Sequence, residues 1–403
     1  MKEVQTSPWW LQSTIYEVNL RQYSKEGTFA AFEKHLPRLK AMGIDILWFM
    51  PITPIGIIGR KMSNYDLGSY YAVRDYYAIN EEFGTMEEWK TLVRNMHKMG
   101  FKVIVDWVAN HTSPDHPWTL SHPEYYVQDE KGNIISPNAD WSDTRQLNFD
   151  NSEMQTAMME AMKFWITETN IDGFRCDMAK LVRTSFWKEA ISQLRSIKNI
   201  LMIAEAEDEG YYETGFDAQY TWSIFHAMKA VYRSHISIEE FAVIIDDNFS
   251  KLGEKGARLF FTSNHDENSW DGTDIQLFGN ALKCFGILIF TMRGSLPMIY
   301  SGQEIPNEKS LAFFSKDVID WEKEYKMTAH YKYIAELRKE CPALCVDATY
   351  KRIVTGNDSS LLGYVREKEG SKILIVLNLS SHPQYFNIDS KDYNLNPWGY
   401  LIA

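Results

Sequence analysis

The sequence predicts an α/β protein: a (β/α)8 barrel, a short insertion subdomain after the third strand, and a small C-terminal antiparallel β domain. Three observations lead there. Eight short apolar runs, rich in β-branched and aromatic residues, recur along the chain. Longer amphipathic stretches separate most of them, which implies parallel strands with helices outside. No Gly-rich phosphate loop follows the first run, where a doubly wound open sheet would want one, so the closed barrel is favoured.

The runs are STIYEV (13–18), IDILWFMPI (44–52), KVIVDWV (102–108), IDGFRCD (171–177), ILMIAEA (200–206), ARLFFTSN (257–264) and LPMIYSG (296–302), with FDAQYTW (216–222) a weaker eighth. Helical patterns cover 29–43, 86–100, 154–170 and 184–198. Gly43 and Gly100 are natural stops for the first two, because glycine takes the left-handed turn that ends a helix. Residues 112–150, rich in Pro, Asp, Asn, Trp and Tyr, break the rhythm and read as the insertion. The barrel is then 1–111 with 151–343, and 344–403 is the β domain, where TYKRIVTG, SLLGYVRE, SKILIVLNLS and QYFNI look like strands.

A net charge of −12 argues against nucleic acid or an anionic membrane as the main partner, since both need basic patches. No run reaches the roughly 20 apolar residues of a membrane span, and MKEVQTSPWWLQ lacks the apolar core of a leader. Four scattered cysteines give no disulfide framework. The 14% aromatic content supplies flat faces for stacking on rings, sugars included.

A barrel of this kind places its active site where the strands end. The third run ends in DWVANH, with Asp106, Asn110 and His111. The fourth ends in GFRCDMAK, with Arg175, Asp177 and Lys180. The fifth ends in IAEAED, with Glu205, and the seventh in FTSNHDEN, with His265 and Asp266. Any one polar end could be a helix cap. Three ends that deliver Asp177, Glu205 and Asp266 to one rim suggest chemistry.

Arg175 and Asp177 share a strand face, so the guanidinium is placed to keep that carboxylate ionised. Glu205 lies between Ala204 and Ala206, a less polar setting that favours its protonated form, with Glu207 and Asp208 adding to this if they face the same way. Two carboxyls with opposed environments are what glycosidic cleavage requires.

With these motifs in order, the chain resembles the α-amylase family of retaining α-glucan-active barrels over nearly its whole length. The resemblance implies Asp177 as nucleophile, Glu205 as general acid/base and Asp266 as the carboxylate that stabilises the transition state. It implies substrate contacts from His111 and His265, from Tyr71 in SYYAVRDY, and from Lys180 on the leaving-group side, with Arg175 orienting Asp177. Asn110 matches a calcium ligand, but Gln146 in TRQLN stands where calcium-binding members usually carry Asp, and Leu181 where many carry His. Calcium therefore stays open.

The implied activity is hydrolysis of α-1,4-glucosidic bonds in starch-like glucans and maltooligosaccharides. Alternatives on the same site are 4-α-glucanotransfer and neopullulanase- or cyclomaltodextrinase-type cleavage. A Schiff-base enzyme using Lys180 would leave the carboxylates unexplained, and a non-catalytic sugar binder would be expected to lack one of them. Few cysteines are compatible with the cytoplasm, whereas polymeric starch would require export.

Overall fold

All eight runs become strands of one closed parallel barrel, hydrogen-bonded in chain order: β1 (Ile15–Val18), β2 (Ile46–Phe49), β3 (Lys102–Val108), β4 (Gly173–Asp177), β5 (Leu201–Ala204), β6 (Ala218–Tyr220), β7 (Ala257–Phe260) and β8 (Ser295–Tyr300). The computed structural model describes residues 8–61, 66–253, 256–305, 307–388 and 390–403. β1 closes the barrel by pairing Ile15 with Ile46 on one side and with Met298 on the other. Seven of these strands are buried at every position, as a parallel sheet covered by helices requires.

Helix Met86–Lys98 begins with a capping box, in which Thr85 Oγ1 accepts from Glu88 N–H and Thr85 N–H donates to Glu88 Oε2. Helix Ser152–Thr169 starts on the Asn151 side chain and stops at Asn170, in the left-handed conformation. The predicted helix over 29–43 is two pieces, Phe29–Glu33 and Leu36–Ala41. Pro37 sits in the first turn of the second piece; it fits there and cannot sit inside one continuous helix.

The insertion is short and irregular. It leaves on His111–Thr112 and returns on Arg145–Gln146, with His111 paired to Gln146, so its end comes back to its origin at the rim. The C-terminal domain holds the four predicted strands, β9 (Thr349–Ile353), β10 (Leu361–Lys368), β11 (Ser371–Asn378) and β12 (Gln384–Ile388). Two further ones, β13 (Lys391–Leu395) and β14 (Tyr400–Ile402), were not foreseen. They pair as β9-β10-β11-β14 and β12-β13. Arg366, fully buried on β10, donates to Thr291, Met292 and Cys345 carbonyls and staples this sheet to the barrel.

Among the described residues one helical stretch, 274–291, is long and apolar enough to cross a membrane, but 72% of it is buried. Its main part, Leu282–Thr291, packs against β8, helix Thr328–Glu340 and β11, the setting of a core helix.

At the barrel's closed end Asp172 ties three elements together. Its carboxylate meets His97 Nε2 (2.6 Å), Lys102 Nζ (3.0 Å), Lys198 Nζ (3.0 Å) and the Val103 N–H (2.9 Å). Against the upward push of burial, these partners hold its carboxyl below the usual range. Asp172→Asn is expected to cost about 3 kcal/mol in urea unfolding at pH 7. A depressed carboxyl stabilises the fold above its ordinary value and loses that contribution on acidification, so the gap to the parent should close below about pH 4.

Candidate active site

β4 ends the floor of the site. Alternation turns Arg175 and Asp177 inward and Cys176 away into packing, where burial pushes its thiol well up. Glu205 N–H donates to Cys176 O (3.0 Å), so Asp177 and Glu205 leave neighbouring strands at matching levels.

Arg175 is fully buried in the barrel mouth. Its Nε donates to Tyr220 Oη (3.1 Å), and its Nη1 donates to Asp106 Oδ1 (2.9 Å) and Asp177 Oδ1 (3.0 Å). Nη2 lies at ion-pair distance from Glu205 Oε2 (3.0 Å), without hydrogen-bond alignment. Glu205 Oε2 also accepts the Met178 N–H (2.7 Å), and Met178 holds φ 42° to present it, an unusual value for a bulky side chain.

One cation thus serves three carboxyls. The expectation that Arg175 alone fixes Asp177 as a carboxylate meets a crowded site. Burial, Glu205 and Asp106 together push Asp177 well above its ordinary value, against the pull of Arg175. Burial raises Asp106 as well, to about 6. Burial and close like charge thus oppose full ionisation of Asp177 and Asp106. Asp266 behaves in the opposite way: against burial, the adjacent His265 imidazole holds it below the usual range.

Glu207 turns away from this cluster. Its carboxylate accepts from the Ser223 N–H (2.9 Å) and Asn248 Nδ2 (2.5 Å) on the outer helices, so it does not act on Glu205.

Asp177, Glu205, Asp266, Tyr71 and His111 line a single cavity of about 310 Å³. Arg175 lies beneath it. His265 is brought to the site but sits behind Tyr71 and Asp266, 1% exposed. His111 is buried, and burial lowers its imidazole to about 4, so it faces the cleft neutral. Lys180 is exposed on the turn Ala179–Leu181, outside the cavity lining.

Sequence reasoning missed several lining residues. Trp141, Asp143 and Thr144 come from the insertion's return, and Trp270 from the helix after β7. Phe313 and Phe314 come from the loop after β8. The aromatic insertion and the FF pair were the available signals, but neither says which way a loop folds.

Asn110 Nδ2 is 3.2 Å from His111 Nδ1, and among the described residues no three acidic, histidine or cysteine side chains converge where a metal could sit. Gln146, paired with His111, supplies no carboxylate there.

A closed parallel barrel with three carboxyls around a buried arginine at its C-terminal mouth defines a glycosidase-type site. The sequence profile described as "Alpha amylase, catalytic domain" matches residues 14–340, and the chain belongs to this family of glycoside hydrolases. It is 28% identical to Alpha-amylase 3 of Dictyoglomus thermophilum, over 95% of this chain and 88% of that protein. The crystal structure of an alpha-amylase from Lactobacillus plantarum superposes with a TM-score of 0.87, at 26% identity and 98% coverage of both chains. That of the noncanonic maltogenic alpha-amylase AmyB from Thermotoga neapolitana gives 0.86, also at 26%, over 97% of this chain and 96% of that one.

Proposed function

We propose that the protein hydrolyses α-1,4-glucosidic bonds in starch-like α-glucans and maltooligosaccharides by retaining double displacement. The observation that carries this is the placement of Asp177 and Glu205 on one guanidinium, with Asp266 across the same cavity. Glu205 protonates the glycosidic oxygen, Asp177 attacks the anomeric carbon, and the covalent glycosyl–enzyme forms. Glu205 then takes a proton from water, which releases the sugar.

The crowded carboxyls suit an oxocarbenium-like centre. The cluster carries more acid than Arg175 balances, so positive charge developing on the sugar meets a preorganised anionic wall. Attack needs Asp177 ionised, and the approach of that positive charge favours this form. Oε2 of Glu205 is engaged by Met178 and Arg175, which leaves Oε1 for the glycosidic oxygen. His111 and Tyr71 contact the sugar in the cleavage subsite, and Lys180 reaches the leaving-group side from the rim.

Proton NMR of the first product from maltoheptaose tests the mechanism. The α anomer is expected, and a β anomer would overturn retention. Products from amylopectin, pullulan and cyclodextrin place the substrate preference. Products longer than the starting oligosaccharide would move the assignment to glucanotransfer.

Two further outcomes follow. Phe313 lies nearly parallel to Tyr71 (6.3 Å, 16°) and packs on Trp270 (5.5 Å), forming an aromatic wall along the cleft. Phe313→Ala is expected to remove about 1 kcal/mol of ring contact, read as a rise of about fivefold in KM with little change in kcat. Activity is also expected to survive dialysis against EDTA, because Gln146 stands where a calcium-binding carboxylate would be expected; loss restored by calcium alone would reverse this.

A further inference from the structure

Glu17 ends the first strand and takes no part in the mechanism above. It is 0% exposed, so it cannot touch a sugar. Its Oε1 lies 2.5 Å from His265 Nδ1. The other ring nitrogen, Nε2, lies 2.7 Å from Tyr71 Oη and 3.2 Å from Asp266 Oδ2. The ring is held edge-on to Trp48 and stacked beside Tyr71.

We propose that Glu17 is a positioning residue: its carboxylate fixes His265 as a donor on both ring nitrogens, and that ring orients and ionises Asp266. A neutral imidazole has one N–H and one acceptor nitrogen. Here both nitrogens face oxygens that accept. Nδ1 faces Glu17, and Nε2 faces the Asp266 carboxylate. Tyr71 spends its own proton on Asp106 Oδ2 (3.1 Å), so its oxygen accepts from Nε2. Protons therefore point one way along the series, from His265 to Tyr71 to Asp106, and Asp106 in turn meets Arg175.

The other charged and titratable groups around the pair include Arg175, Asp106, Tyr220 and Tyr300. Burial alone pushes the imidazole down and the Glu17 carboxyl up. For the ring the two carboxyls outweigh burial, and His265 is held well above its ordinary value, while burial keeps the Glu17 carboxyl raised.

Removing the Glu17 charge leaves Asp266 as the ring's single carboxylate partner. Once the ring loses its proton, Nε2 becomes an acceptor, Tyr71 turns its hydroxyl to it, and Asp266 loses its cation. The inference rests on the proposed function, with Asp266 as the carboxylate that stabilises the transition state.

The test is the pH profile of kcat/KM for Glu17→Gln, which keeps the shape and removes the charge. The ratio of activity near pH 8 to that near pH 5.5 is expected to fall at least about tenfold against the parent, one unit of displacement in the alkaline limb. A loss equal at both pH values would mean a purely structural role and would overturn the proposal. If the variant does not fold, nitrogen-15 NMR of the imidazoles in the parent protein decides. Both His265 nitrogens are expected to be protonated at pH 8, and a neutral tautomer there sinks the idea. That readout needs no turnover, so it stays informative even if Asp177→Asn were to prove active and the catalytic reading failed.

Discussion

Asp177→Asn is expected to lose at least about 10⁴-fold in kcat and to gain thermal stability. The first part follows from the role proposed for Asp177 as nucleophile: the amide cannot form the glycosyl ester. The second follows from the crowding of Asp106, Asp177 and Glu205 on Arg175. The Asp177 carboxyl lies well above its ordinary value in the fold, raised first by burial and then by Glu205. A raised carboxyl binds more protons folded than unfolded, so its ionisation opposes folding as pH climbs above about 4.

The amide removes that penalty and still offers Arg175 an oxygen. A gain of about 1–2 kcal/mol at neutral pH is expected, as for other sites that trade stability for activity. Calorimetry at pH 4 and pH 7 should show the gain growing with pH. A variant less stable than the parent at both would mean that Arg175 and Asp177 form a net stabilising pair.

The barrel was legible because burial on both faces leaves continuous apolar runs, and STIYEV, KVIVDWV and ILMIAEA carry that mark without tertiary context. The break at Pro37 was legible in principle, since a proline inside a helical pattern ends it. β13 and β14 were not, because KDYNL is polar and mostly exposed and YLI is three residues long.

In the site, strand position singled out Asp177, Glu205 and Asp266, and the structure brings them to one cavity. Sequence could not show that Asp106 shares the same arginine, because that depends on a 2.9 Å contact between strands 69 positions apart in sequence. Nor could it show that Glu207, two residues from Glu205, turns to Ser223 and Asn248. Glu17 was hidden by its surroundings. One acid in an apolar strand gives no periodic signal, and its meaning comes from a histidine 248 positions away. Trp141 and Phe313 come from loops, whose direction of folding composition does not determine.

Arg175 is where stability and function are most tightly joined. Arg175→Ala is expected to cost at least about 3–5 kcal/mol, because it leaves three carboxyls buried without their cation. It should abolish activity even where the chain still folds. Arg175→Lys is not a rescue. An ammonium cannot reproduce a planar fork that meets Tyr220, Asp106, Asp177 and Glu205 at once.

The pH dependence separates charge from packing. With the guanidinium gone Asp106 and Asp177 are raised further, so the deficit of Arg175→Ala in urea unfolding should deepen from about pH 4 upward. Loss of packing alone would give a deficit independent of pH. A cycle with Asp106→Asn gives the decisive comparison. In the parent that change removes a carboxyl raised by burial, as Asp177→Asn does, and should stabilise modestly at neutral pH. In the Arg175→Ala background it removes an unpaired buried charge and should restore stability. A clearly larger gain in the Arg175→Ala background than in the parent is the expected result, and simple additivity would show that the cluster is not held by Arg175.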